Sequence, residues 1–187
     1  MTCLNRKDLG LLALRTAVGG VLVAHGTQKL FGWFGGGGLE GTTQGMEHMG
    51  FHPARQSAIA AGLGEAGGGA MLMAGLATPA AGSIVAGTMA GAVAVHAPAG
   101  FFSTAGGFEY PALLGAAGLS LGLSGAGRYS LDHALGHRVD RPWIGLLAFT
   151  ASAVSAYSVV ARRRHVVRLR EERAAMDATG EEGAGLS

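Results

Sequence analysis

The sequence predicts an all-α polytopic membrane protein, a four-helix transmembrane bundle followed by a fifth transmembrane helix. Three observations predict it. Only 14% of the 187 residues are charged, against about 25% in a soluble domain, which leaves too little polar surface to solvate a globule. Long apolar stretches recur along the chain, each to be judged against the ~20 residues that cross a hydrocarbon core. Of the 34 glycines, 18 lie inside those stretches, and that placement favours close helix–helix contact in lipid.

The first apolar segment covers residues 9–31, and the second covers 57–76. The third covers 80–102, with Pro98 near its end. The fourth, 108–123, is short for a span and enlists its flanks. The fifth, 143–161, is bounded by Arg141-Pro142 and by the Arg162–Arg164 cluster. The resulting organisation is a leading segment 1–8, a membrane domain 9–132, a connector with the fifth helix 133–161, and a tail 162–187.

The connections differ in character. Residues 35–53 read as a glycine-rich loop, and Phe31, Trp33, Phe34 and Phe51 around it suit the headgroup layer. Ala77-Thr78-Pro79 is a tight turn, so the second and third segments form an antiparallel hairpin. Residues 125–140 are polar and carry Arg128, Arg138 and Arg141. The tail is basic, reads as a short surface helix through Met176, and then as disorder over 180–187. The simplest role for that tail is a topology anchor on anionic lipid, ahead of a docking site. Arg15 interrupts the first apolar run, so no cleavable signal peptide is read. Orientation stays open. The early charges favour an inside N-terminus, and the Arg162–Arg164 cluster favours the reverse.

Composition narrows the chemistry. Cys3 is the single cysteine, so no internal disulfide, CxxC pair or cysteine-held cluster is available. Redox chemistry would have to come from a bound cofactor or a partner. A net charge of +2 gives no case for nucleic acid. Two motif matches fail on context. Gly62-Leu63-Gly64-Glu65-Ala66-Gly67 fits a dinucleotide fingerprint, but no strand precedes it. Gly118-Leu119-Ser120-Leu121-Gly122 fits a nucleophile elbow inside a membrane helix. The pairs Gly64/Gly68, Gly87/Gly91 and Gly118/Gly122 read instead as helix-packing faces. His48/His52 and His133/His137 have metal-ligand spacing but no obvious third ligand, so no metal site is assigned.

The remaining signal is intramembrane charge, which costs roughly 2.5–3.5 kcal/mol per residue at the helix centre on insertion scales. Arg15, His25 and Lys29 fall within about 80° of one another on the first helix. Glu65 lies near mid-membrane, and His96 and Glu109 lie toward the end shared with His25 and Lys29. An antiparallel bundle brings His25, Lys29, Glu65, His96 and Glu109 into one half, with Arg15 reaching Glu65 from the other. One reading is a neutralised core, with Arg15–Glu65 and Lys29–Glu109 pairs. A second is a pocket for a quinone headgroup or a proton relay. A third, a haem between His25 and His96, has nothing else in its favour.

Several ordered motifs resemble the DoxX family of membrane proteins. They are Arg15 with GGVLVAHGTQKLFGWFGGGGLEGT over 19–42, MGFHPA over 49–54 and GLGEAGGGAMLMAGLATPAAG over 62–82. HAPAGFFSTAGGFEYPALL over 96–114 and GAGRYSLD over 125–132 complete the set. The resemblance covers residues 9–132. It implies a four-helix bundle in a cell membrane, a bacterial plasma membrane by expectation. Arg15, His25, Lys29, Glu65, His96 and Glu109 fall on the family's polar motif positions. The family is named from subunits similar to those of thiosulfate:quinone oxidoreductase, and some members are thought to join superoxide dismutase and a sulfurtransferase in membrane complexes. The first reading is therefore a subunit of a redox or oxidative-stress complex with protein partners, its polar pocket engaging a quinone or relaying protons. The competing reading is a non-enzymatic assembly factor or cargo adaptor, as distant eukaryotic relatives of the fold resemble. No self-contained catalytic centre is visible. A small-solute transporter is disfavoured, because neither an inverted repeat nor paired broken helices can be seen. The fifth helix and basic tail depart from the family's four-helix pattern.

Overall fold

A computed structural model describes residues 5–184. Five long helices form the body: α1 (Arg6–Phe31), α3 (Ala54–Ala74), α4 (Thr78–His96), α5 (Glu109–Ser124) and α7 (Pro142–Ala184). Two shorter helices, α2 (Gly38–His48) and α6 (Leu131–Ala134), lie in the connections. No strand occurs among the described residues. The chain is an all-α polytopic membrane protein. Three helices, Arg6–Phe31, Thr78–Ala99 and Pro142–Asp177, are long and apolar enough to cross a membrane by themselves. Of the five expected spans, three meet that measure; α3 and α5, which run antiparallel to α1 and α4, do not reach it by themselves. α3 is diluted by Gly62, Gly64 and Gly67–Gly69. α5 has 16 residues, a rise of about 24 Å.

The helix ends are written in the local sequence. The Asn5 side chain accepts from the Lys7 amide and starts α1, and Gly32 at φ 74° ends it in the left-handed region. Gly75 at φ 63° ends α3 the same way. The α3–α4 turn needs outside help, because Ala77 also sits at positive φ. Asp132 of α6 supplies it. Its carboxylate accepts from the Ala77 amide at 2.7 Å, the Thr78 amide at 3.0 Å and the Thr78 hydroxyl at 2.8 Å. The buried Asp132 therefore caps α4 from 54 residues away in sequence.

Glycines set the helix approach. A Cβ at Gly69 of α3 would lie 2.7 Å from the Gly19 carbonyl oxygen of α1, and one at Gly62 would lie 2.6 Å from Leu30. Gly26 meets the Ala66 backbone in the same seam. α1 packs most extensively on α3, and α4 on α5 and α7. α1 meets α5 only lightly. Of the expected packing glycines, Gly64 faces Thr88, Gly68 and Gly118 face Val85, Gly122 faces Gly82, and Gly87 faces Ser152. Gly91 departs from expectation and has open space around its Cβ direction. The core between the helices is Val18, Leu22, Leu72, Val85, Met89 and Leu121 with their neighbours.

Two expectations about the connections are corrected. Residues 35–53 are not a plain loop, since α2 occupies most of them. The packing of α2 on α1 and α3 overrides its weak helix propensity. Phe51 is buried in protein rather than exposed to lipid headgroups, and Arg163 lies 5.7 Å over its ring. The tail does not break at Arg162. α7 is one helix of 43 residues, about 65 Å long. It is helical through Ala184, where disorder was expected from Gly180; residues 185–187 lie outside the described residues. Arg163 Nε donates to the Met49 carbonyl at 2.8 Å and Arg170 to the Glu47 carbonyl at 3.2 Å, which ties the basic half of α7 to the α2–α3 connection.

Candidate functional site

A cavity of about 550 Å³ runs from the interior of the four-helix body out toward α7. Its polar end is lined by His25 and Lys29 of α1, Glu65 of α3, His96 of α4 and Tyr110 of α5. Lys29 Nζ and Glu65 Oε2 are 2.6 Å apart. The α1–α3 glycine seam explains this reach. Gly26 and Ala66 bring the backbones together one residue from Glu65 and one turn from Lys29. Glu65 is buried, with a side chain 7% exposed, and Lys29 keeps 28%. A carboxylate so enclosed has lost most of its hydration, and the ammonium offsets part of that cost.

The Tyr110 hydroxyl lies 3.3 Å from His25 Nε2, and the two rings are 5.8 Å apart. This contact bridges the otherwise light α1–α5 seam. His96 Nδ1 is 2.7 Å from the Gly106 carbonyl oxygen. A carbonyl only accepts, so Nδ1 carries the proton, and in the neutral ring Nε2 is left as an acceptor. The walls beyond this end are apolar or small. Leu22, Met89 and Leu114 lie inside the body; Ala60, Ala61 and Gly64 lead outward on α3; Ala151, Ser155 and Val159 of α7 close the far side.

The expected ion pairs are exchanged. Arg15 does not reach Glu65. Its guanidinium donates to the Tyr129 carbonyl at the opposite end of the body, packed against Gly75, with the Asp132 charge nearby. A side chain at Gly75 would take the space of that guanidinium. Glu109 does not pair with Lys29; it accepts from the Ser103 amide at 2.8 Å and holds the α4–α5 connection. Depth along a helix identified which residues could be neighbours. It did not resolve which of two acids a lysine meets, because that depends on the α1–α3 approach. Of the six residues singled out in the sequence, His25, Lys29, Glu65 and His96 line one cavity, and Arg15 and Glu109 do not. Tyr110 was missed, although it follows Glu109 directly and carries the donor that meets His25.

Among the described residues no group of three or more His, Cys, Asp or Glu side chains is placed to hold a metal ion. His133 and His137 do approach, at 3.4 Å between ring nitrogens, with Asp140 3.2 Å behind His137. His48 Nδ1 is 3.0 Å from the Gln44 carbonyl oxygen at the end of α2. For a haem between His25 and His96, both rings line the cavity, but His25 Nε2 faces Tyr110 and His96 Nδ1 faces Gly106.

Residues 10–98 match the family model described as DoxX. That segment, just under half of the chain, is similar to the DoxX family. The match opens in α1 and closes just after α4, short of the 9–132 over which the sequence motifs resemble the family. It holds Arg15, His25, Lys29, Glu65 and His96, whereas Glu109, Tyr110 and the whole of α7 lie beyond it. No curated protein and no solved structure matches the chain.

Proposed function

We propose that this protein is an integral membrane subunit of a redox-linked or oxidative-stress-linked complex, and that its cavity holds a membrane quinone. One observation carries the reading. A single cavity joins a cluster of titratable donors and acceptors to an apolar channel. A quinone has the matching form, with two carbonyl oxygens on a ring and a long hydrocarbon tail. Binding pockets of this kind are largely apolar, with a few placed polar groups that fix orientation. The Tyr110 hydroxyl and the Lys29 ammonium are the donors for the ring oxygens. Glu65 and His25 are the groups able to take or give the protons that accompany quinone reduction and oxidation. Electrons would come from a partner protein. Intramembrane ionisable residues mark ligand and proton paths as well as structural pairs, and here Lys29–Glu65 serves both.

The test is purification of the full chain in mild detergent, extraction of bound quinone, and competition against a photoreactive quinone analogue. The wild-type protein should retain quinone and label on α1, α3 or α5. Tyr110→Phe and Glu65→Gln should weaken labelling while the protein remains monodisperse. Absence of quinone and of saturable labelling in the wild-type protein refutes the reading.

The assembly-factor or cargo-adaptor reading rests on a different observation. The basic half of α7 and the end of α2 form one joined surface through Arg163 and Arg170. It requires that removal of residues 162–187 abolish partner capture while Glu65→Gln leaves it intact.

A further inference from the structure

A second cavity lies along the α4–α7 contact. It measures about 590 Å³, and only these two helices line it. On α4 its floor is Ser83, Ala86, Gly87, Ala90 and Ala94. Their three- and four-residue steps make one stripe of the helix, about 17 Å long. That is close to one leaflet's share of a hydrocarbon core of about 30 Å. The facing stripe of α7 runs from Phe149 through Ala153 and Tyr157 to Ala161, and then continues as Arg164 and Arg168.

The two arginines are a turn apart, so they stand on the same face above the apolar groove. Ala161 ends the apolar run of α7, which places Arg164 and Arg168 at headgroup depth. Both are exposed, and among the described residues neither has a hydrogen-bond or ion-pair partner. Their neighbours Arg163 and Arg170 are committed to backbone carbonyls of the α2–α3 connection. Arg164 and Arg168 therefore bring two uncompensated charges to the mouth of a chain-shaped groove. A guanidinium matches a phosphate with two parallel hydrogen bonds.

We propose that this groove is a binding site for an anionic glycerophospholipid. One acyl chain lies along the Ser83–Ala94 stripe, and the phosphate sits between Arg164 and Arg168. A zwitterionic lipid brings its own cation to the same place, so it is held less well. The proposal does not rest on the quinone reading, although the groove shares Gly87, Ser152 and Ala156 with that cavity; its α7 half lies outside the matched DoxX segment.

The test uses the full-length protein in nanodiscs of defined lipid, with retained lipid counted by native mass spectrometry after gentle release. Phosphatidylglycerol should be retained in preference to phosphatidylcholine. Arg164→Gln with Arg168→Gln should lower that retention on the order of thirtyfold. Arg162→Gln with Arg173→Gln removes the same charge outside the groove and should leave retention unchanged. Ala90→Leu fills the floor and should lower retention with both arginines present. Equal retention of the two lipids overturns the proposal. So does equal loss in both arginine pairs, which would mean diffuse attraction to charge. Displacement by inorganic phosphate, independent of acyl chain, also overturns it, since that marks a free-anion site.

Discussion

Lys29→Met is the most direct probe of the cavity's electrostatics. The ammonium and carboxylate are 2.6 Å apart, and at an effective dielectric near 20 their attraction is about 6 kcal/mol. Desolvation offsets most of this, so the net value of the intact pair is small. Breaking it is different, because Glu65 is then left alone in an enclosed site. Removing one partner of a fully buried pair costs about 3–5 kcal/mol. Lys29 keeps 28% of its side-chain exposure, so the low end, about 3 kcal/mol, is expected. Lys29→Met with Glu65→Met removes both charges and should recover most of that loss. The cycle should give a coupling of at least about 2 kcal/mol. Unfolding in mixed micelles by added sodium dodecyl sulfate, followed by tryptophan fluorescence and circular dichroism, reads all four proteins. A coupling under about 0.5 kcal/mol, the value of an exposed pair, would refute the reasoning.

Other outcomes follow from the same geometry. Gly69→Val should destabilise by about 1–3 kcal/mol through contact with the Gly19 carbonyl and Leu22, while Gly91→Ala, with open space, should be neutral or better in the same assay. Asp132→Ala should cost at least about 2 kcal/mol, because the Ala77 and Thr78 amides lose their acceptor; wild-type-like unfolding would show that the α3–α4 turn holds without it. Arg163→Ala should free the basic half of α7 from Met49 and Phe51, read as faster proteolysis after Ala161 with the rest of the chain intact. The six arginines from Arg162 to Arg173 outweigh the basic residues at the opposite end, so the C-terminal end of α7 should face the cytoplasm; cysteine-labelling of intact cells at positions 5 and 176 checks the side.

Some of this was legible in the chain alone. Hydropathy and charge scarcity determined the class, since the cost of exposing polar groups to lipid acts on composition before any fold exists. Hydropathy placed the first two segments at 9–31 and 57–76, and the local caps Asn5, Gly32 and Gly75 set the true ends of α1 and the end of α3. The polar residues of one end were identifiable too, because depth along a helix is a linear function of sequence position. Their partners were not. Lys29 meets Glu65, and Arg15 meets the Tyr129 carbonyl, because Gly19, Gly26, Gly62 and Gly69 set how closely α1 and α3 approach. That approach depends on two helices at once, and no stripe on either reveals it. Gly91 shows the converse, a motif glycine with nothing against it. The α7 groove is the same kind of fact. Arginines at 164 and 168 read as a generic anchor until α4 supplies the apolar wall beneath them. Sequence determined which residues could not face lipid unaided, and the tertiary structure decided which group each one faces instead.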